Sequence, residues 1–135
     1  MGLLLMVYLG LLGFVTTITP GAGICGQLIA SLPYGTSDVL HVPAYAVLTW
    51  ILIRWLEGRG WPHRYAYFTG AVGATVVGLW VEVLQGSIPG RATEATDLMM
   101  NSLGVSIAMF LILRQGFTID RAVLIFPAKA CGSRR

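Results

Sequence analysis

Apolar residues along the chain fall into four long runs, residues 3–18, 39–55, 65–85 and 98–113, separated by short polar interruptions. These lengths lie close to the roughly 17 to 25 residues that an α-helix needs to cross a hydrocarbon core of about 30 Å. Turn-forming residues close each run. Thr16, Thr17, Thr19, Pro20 and Gly21 end the first; Pro33, Tyr34 and Gly35 precede the second; Gly58, Gly60 and Pro62 precede the third; Pro89 and Gly90 precede the fourth. Ser37 or Asp38 can cap the second helix, and Thr96 or Asp97 the fourth, because each offers a side-chain oxygen to the free N–H groups of a first turn. Residues 22–32 are apolar but broken by glycine, and either extend the first helix past a kink or lie at the interface. From residue 116 onward the chain reads as a tail, with an apolar stretch at 122–127 too short to cross and placed at the interface. The pattern predicts an all-α integral membrane four-helix bundle, a single domain over residues 1–135.

Composition supports lipid as the solvent. Hydrophobic residues make up 56% of the chain and charged residues 11%, against roughly 25% charged in soluble domains. A net charge of +3 would suggest nucleic acid in a soluble protein, but here the basic residues gather at segment ends. Arg54, Arg59 and Arg64 lie between the second and third runs; Arg114, Arg121, Lys129, Arg134 and Arg135 follow the fourth; Arg91 alone lies elsewhere. With four spans both basic regions fall on one side, so the positive-inside rule predicts both termini cytoplasmic in a multi-pass protein of the cell membrane, with no nucleic-acid partner. Trp50, Trp55, Trp61, Tyr65 and Tyr67 form an interfacial belt on that side. Cys25 and Cys131 fall at opposite faces and are expected unpaired. The first run has no Lys or Arg before it and no small-x-small cleavage site after it. Ile24 spoils a lipoprotein box before Cys25, so this run is expected to be a retained span.

The polar residues that interrupt this apolar pattern are few and regularly spaced. Asp38 and His41 open the second run, Glu82 and Gln85 close the third, and Asp97 and Asn101 open the fourth, each pair three or four residues apart and so on one helix face. All lie on the side opposite the arginine-rich loops, with Arg91 in the loop above. A carboxylate in a hydrocarbon-facing segment costs about 2.5 to 3.5 kcal/mol on insertion scales, so its retention requires a partner or a task. Glu82 is the sharpest candidate as a proton donor or acceptor, or else pairs with Arg91. Asp97 and Asp38 can be helix caps as readily as reactants, and His41 a proton shuttle or a packing residue. Arg91 can receive a phosphate or carboxylate in a forked pair, or bridge to Glu82, Glu94 or Asp97. Gln85 and Asn101 read best as hydrogen-bond links between helices, and Tyr45, two turns below Asp38, as a further hydrogen-bonding member of the cluster. Gly70, Ala74 and Gly78, four apart, present a small-residue face for close helix packing. No phosphate-cradling glycine loop, nucleophile elbow or redox motif occurs, and one His without a second His four away or a nearby Cys is a poor zinc set. Neither cofactor nor metal is expected.

At these positions the chain resembles the VanZ-like family of small bacterial membrane proteins, named for a member associated with resistance to the glycopeptide teicoplanin. The resemblance covers Asp38, His41 and Tyr45 in one block, then Glu82, Gln85, Pro89, Gly90, Arg91, Asp97, Asn101 and Gly104 in a second. Val39 stands where the family commonly carries lysine. The resemblance implies four spans and a cell-envelope connection; it does not imply a reaction.

Three functions compete on the sequence. An envelope enzyme or binding protein would use Glu82, Asp97 and His41 as the reacting groups. Arg91, Asp38, Gln85, Asn101 and Tyr45 would then hold a polar headgroup or a lipid-linked, anionic wall precursor. A noncatalytic membrane component or partner subunit would use the same cluster only to fix one helix arrangement. A transporter ranks third, because polar groups do not continue through the depth of the spans. The sequence leaves enzymatic activity and oligomeric state open.

Overall fold

The computed structural model describes residues 1–18, 23–31, 36–88 and 95–125, with the backbone alone described at 25, 28–30, 36–37 and 116–125. Lipid offers no hydrogen-bond partner to a peptide group, so a chain this apolar must satisfy its N–H and C=O groups within each segment. The described elements are all helices: α1 (Gly2–Thr17), α2 (Gly23–Ala30), α3 (Thr36–Glu57), α4 (His63–Gly86) and α5 (Ala95–Ile125). Three of them are long and apolar enough to cross a membrane, over Asp38–Glu57, His63–Gly86 and Ala95–Gln115. Helix α1 is a shorter apolar helix of 16 residues, a rise of about 24 Å.

Helix α3 packs against α1, α4 and α5. Its side chains fill the core accordingly, with Tyr45, Leu48, Thr49 and Ile53 fully buried. Helix α1 runs antiparallel to it. Gly2 lies against the Trp55 indole, the Tyr8 hydroxyl donates to the Ala44 carbonyl at 2.8 Å, and the Thr16 carbonyl accepts from Gln85 Nε2 at 3.3 Å. That hydroxyl meets α3 beside Pro43, which has no N–H to donate to the preceding turn. The other face of the bundle is apolar and exposed: Phe68 is 70% exposed, Trp80 65% and Phe110 59%. A soluble monomer rarely shows so continuous an apolar surface. In a bilayer it is the surface that lipid requires.

Backbone proximity comes from small residues, as it must where lipid tails are as apolar as leucine and association rests on packing. Gly70 of α4 lies against Ile53 of α3, and a Cβ at Gly104 of α5 would run into the Val42 carbonyl of α3. The turn from α3 to α4 closes in a Schellman arrangement. Trp61 N–H donates to the Leu56 carbonyl at 3.2 Å and Gly60 N–H to the Glu57 carbonyl at 2.9 Å, with Gly60 at φ 82°, a conformation that favours glycine.

Several boundaries differ from the sequence reading. Helix α5 does not stop at Arg114 and Gln115, so residues 116–125 are not a separate tail but a continuation of the helix to Ile125. The polar pair does not end the helix, since Gly116 costs a helix only about 1 kcal/mol and the next proline is Pro127. Asp38 and Asp97 lie inside the first turns of α3 and α5, where a carboxylate complements the helix dipole. Residues 22–32 contribute a short helix of their own, α2.

The close approach of α3 and α5 at Gly104 gives a direct test. Gly104→Ala is expected to lower bundle stability by about 1 to 3 kcal/mol, as overpacking of a tight core does, when unfolding is followed in mixed detergent micelles. Gly73→Ala, whose new methyl would meet only Leu52 Cδ1 at 3.7 Å, is expected to leave it unchanged.

Candidate functional site

Members of the three polar pairs come together between α3, α4 and α5, with His41 and Asn101 in direct contact. Asp38, His41 and Tyr45 follow one face of α3, and the His41 and Tyr45 rings stack at 6.2 Å with planes 24° apart. From α5, Asn101 places its Oδ1 2.9 Å from His41 Nδ1 and is itself only 2% exposed. From α4 come Glu82 and Gln85, both buried. Gly78, one turn before Glu82, lets α4 approach. A Cβ there would stand 3.1 Å from the Tyr45 ring and 3.2 Å from Asn101 Nδ2. The Tyr45 phenol lies within charge-interaction range of the Glu82 and Asp97 carboxylates and of Tyr8.

Among the sequence candidates, His41 bonds Asn101, the Tyr45 ring lies beside His41, and Tyr45 and Asn101 both border Gly78; Glu82 and Asp97 act on Tyr45 through their charge. Asp38 and Asp97 are half-buried in their first helical turns. Gln85 turns away from His41 and Asn101 and bonds to α1 at Thr16. Arg91, with Pro89 and Gly90, lies outside the described residues. Tyr45 was expected to hydrogen-bond within the cluster, but its hydroxyl is buried with no hydrogen-bond partner among the described residues. The ring lies beside His41 and borders Gly78. Among the described residues no group of three or more His, Cys, Asp or Glu could hold a metal ion. The reading from sequence passed over Tyr8 and Thr16, although a lone tyrosine in the otherwise apolar first run was the available signal.

Asn101 turns its amide oxygen to His41 and its NH₂ group to Gly78. An amide oxygen only accepts, whereas the NH₂ nitrogen is buried with no hydrogen-bond partner among the described residues. His41 then donates from Nδ1 to Asn101 Oδ1, which leaves the lone pair on Nε2. A half-buried imidazole held in that tautomer is a proton acceptor at Nε2. Lining, order and donor set define a class: a helical bundle of lipid-compatible exterior with a polar knot of three helices at one end. Comparison of the chain with protein-family models, curated proteins and solved structures finds no match.

Nitrogen-15 NMR of the labelled protein in micelles, with His63→Gln used to assign the two histidines, reads the tautomer directly. In the neutral ring, His41 Nδ1 is expected to resonate as the protonated nitrogen and Nε2 as the bare one. In Asn101→Leu the ring is expected to drift toward the Nε2–H form that a free imidazole prefers.

Proposed function

We propose that the chain is a VanZ-like protein of the cell envelope, crossing the cell membrane four times with both termini cytoplasmic. Its polar knot then opens outward, acting on or binding a polar headgroup or lipid-linked wall precursor, and contributes to tolerance of teicoplanin. The observation that supports this reading is the bond between His41 of α3 and Asn101 of α5 beside a buried Tyr45 that feels the charges of Glu82 and Asp97, in a bundle whose other described buried residues are mostly apolar. Intramembrane acids at this density are a functional default because their desolvation is costly. In the proposed site Glu82 and Asp97 serve as acid and base, and His41 assists through Nε2. Asn101 and Tyr45 supply donors, Asp38 and Gln85 border the site, and Arg91 in the α4–α5 loop takes an anionic group in a forked pair.

A second reading has its own support. His41–Asn101 ties α3 to α5 and Gln85–Thr16 ties α4 to α1, so the same residues can serve as helix links in a noncatalytic component whose activity belongs to a partner.

Glu82→Gln, Asp97→Asn and Arg91→Ala separate the two in a teicoplanin-sensitive host expressing the chain. Under the first reading each variant reaches wild-type abundance in the membrane and loses tolerance, since general acid–base groups contribute about 10²- to 10⁴-fold. Tolerance that falls only in step with abundance supports the second reading. Full tolerance in all three at normal abundance ends the first.

A further inference from the structure

The end of the bundle opposite the polar knot carries chemistry that the proposed function does not use. Arg54, Arg59, Arg64 and Arg114 each lie over an aromatic ring: Trp50 at 6.0 Å, Trp55 at 4.8 Å, Tyr65 at 4.6 Å and Phe110 at 5.5 Å. A guanidinium held over a ring by cation–π attraction keeps the planar N–H fork that matches a phosphate.

The arginines are not equivalent. Arg54 donates to Glu57 Oε2 at 3.0 Å and to Gln115 Oε1 at 3.4 Å. Glu57 is 13% exposed and its other oxygen lies 2.7 Å from His63 Nδ1. The Glu57 carboxylate is therefore fully engaged, and it offsets Arg54 rather than its neighbours. Arg59 and Arg64 have no ion pair among the described residues. They flank the α3–α4 turn as two uncompensated cations at the level where the apolar stretches of α3 and α4 end.

An apolar track leads from Arg64 along α4. Phe68, Val72 and Val76 follow at four-residue spacing, 70%, 45% and 57% exposed, so they stack along one outward face. From Arg64 to Val76 the helix rises about 18 Å, close to one leaflet's share of a core about 30 Å thick. A cationic fork thus stands at the head of a track as long as an acyl chain.

We propose that Arg64 on Tyr65, with Arg59 on Trp55 across the turn, binds the phosphate of an acidic glycerophospholipid whose acyl chain lies along Phe68, Val72 and Val76. Two uncompensated cations favour a headgroup of net negative charge, because a zwitterionic headgroup brings its own ammonium to the same place. The acyl track distinguishes a lipid from a free phosphate, which would gain nothing from the apolar residues.

Native mass spectrometry of the full chain in detergent micelles tests this, using phosphatidylglycerol and phosphatidylcholine of matched acyl chains. The wild type is expected to retain phosphatidylglycerol on the order of tenfold more tightly, from two cations near an acidic headgroup. R59Q/R64Q is expected to lose that preference, and R54Q to keep it. If the double variant is not recovered folded, R64Q alone is expected to lose a large part of the preference. Equal retention of the two lipids by the wild type, an undiminished preference in the folded Arg59 and Arg64 variants, or inorganic phosphate displacing phosphatidylglycerol at comparable concentration would each overturn the proposal.

Discussion

Much of the structure depends on the hydrogen bond between His41 and Asn101. It joins α3 to α5 at a point where Asn101 is buried, so the amide is shielded from water and must choose which of its ends faces the imidazole. Membrane hydrogen bonds of this kind are individually modest, about 0.6 kcal/mol on average. Their larger effect is on arrangement. A one-residue rotation of α5 would leave the amide facing lipid and His41 facing hydrocarbon, and both groups would then be buried without a partner. The bond therefore fixes the helical phase of α5 against α3, and with it the positions of Asp97 and Gly104 on the same helix.

That phase works only because glycine lies on both sides of the bond. Gly104 brings the α5 backbone against the Val42 carbonyl just beyond His41, and Gly78 lets α4 reach Tyr45 and Asn101. A side chain at either place would part the helices and open the polar groups to lipid. Close packing and polar satisfaction are here one condition. The buried tyrosine shows where the condition is met incompletely: its ring is held by His41 and Gly78 while its hydroxyl, near two carboxylates, has no partner among the described residues.

The helical class and the existence of each long helix were legible from hydrophobic run length alone, and the pairing of polar residues was legible from spacing, because a period of 3.6 leaves positions three and four apart on a common face. The end of α5 was not. Charge reports where lipid stops, and a helix continues past that point when nothing breaks it. Spacing likewise placed Gln85 with Glu82 but could not tell which neighbour it would address. A helix face spans roughly 100° of arc, wide enough for Gln85 to reach α1 while the Glu82 charge acts on Tyr45 of α3. Tyr8 was illegible for a related reason: its role is set by the Ala44 carbonyl beside Pro43, a backbone acceptor that no side-chain pattern reveals.

The two ends of the bundle solve the same problem by opposite means. At the polar end, acids and amides are drawn below the surface and held by neighbouring helices, so their charges act at short range in a medium that screens little. At the arginine end, the charges stay at the surface and lean on aromatic rings that reach into the apolar layer, so their charges face headgroups and water. The first arrangement can do chemistry on something brought to it, and the second can hold the bundle at a fixed depth while that happens. Helix α3 carries both, with His41 and Tyr45 toward one end and Arg54 and Trp55 at the other, so a shift in its depth would move the site and its anchor together. A helix with that double duty must be the rigid one, and it is the one whose side chains are buried against three neighbours.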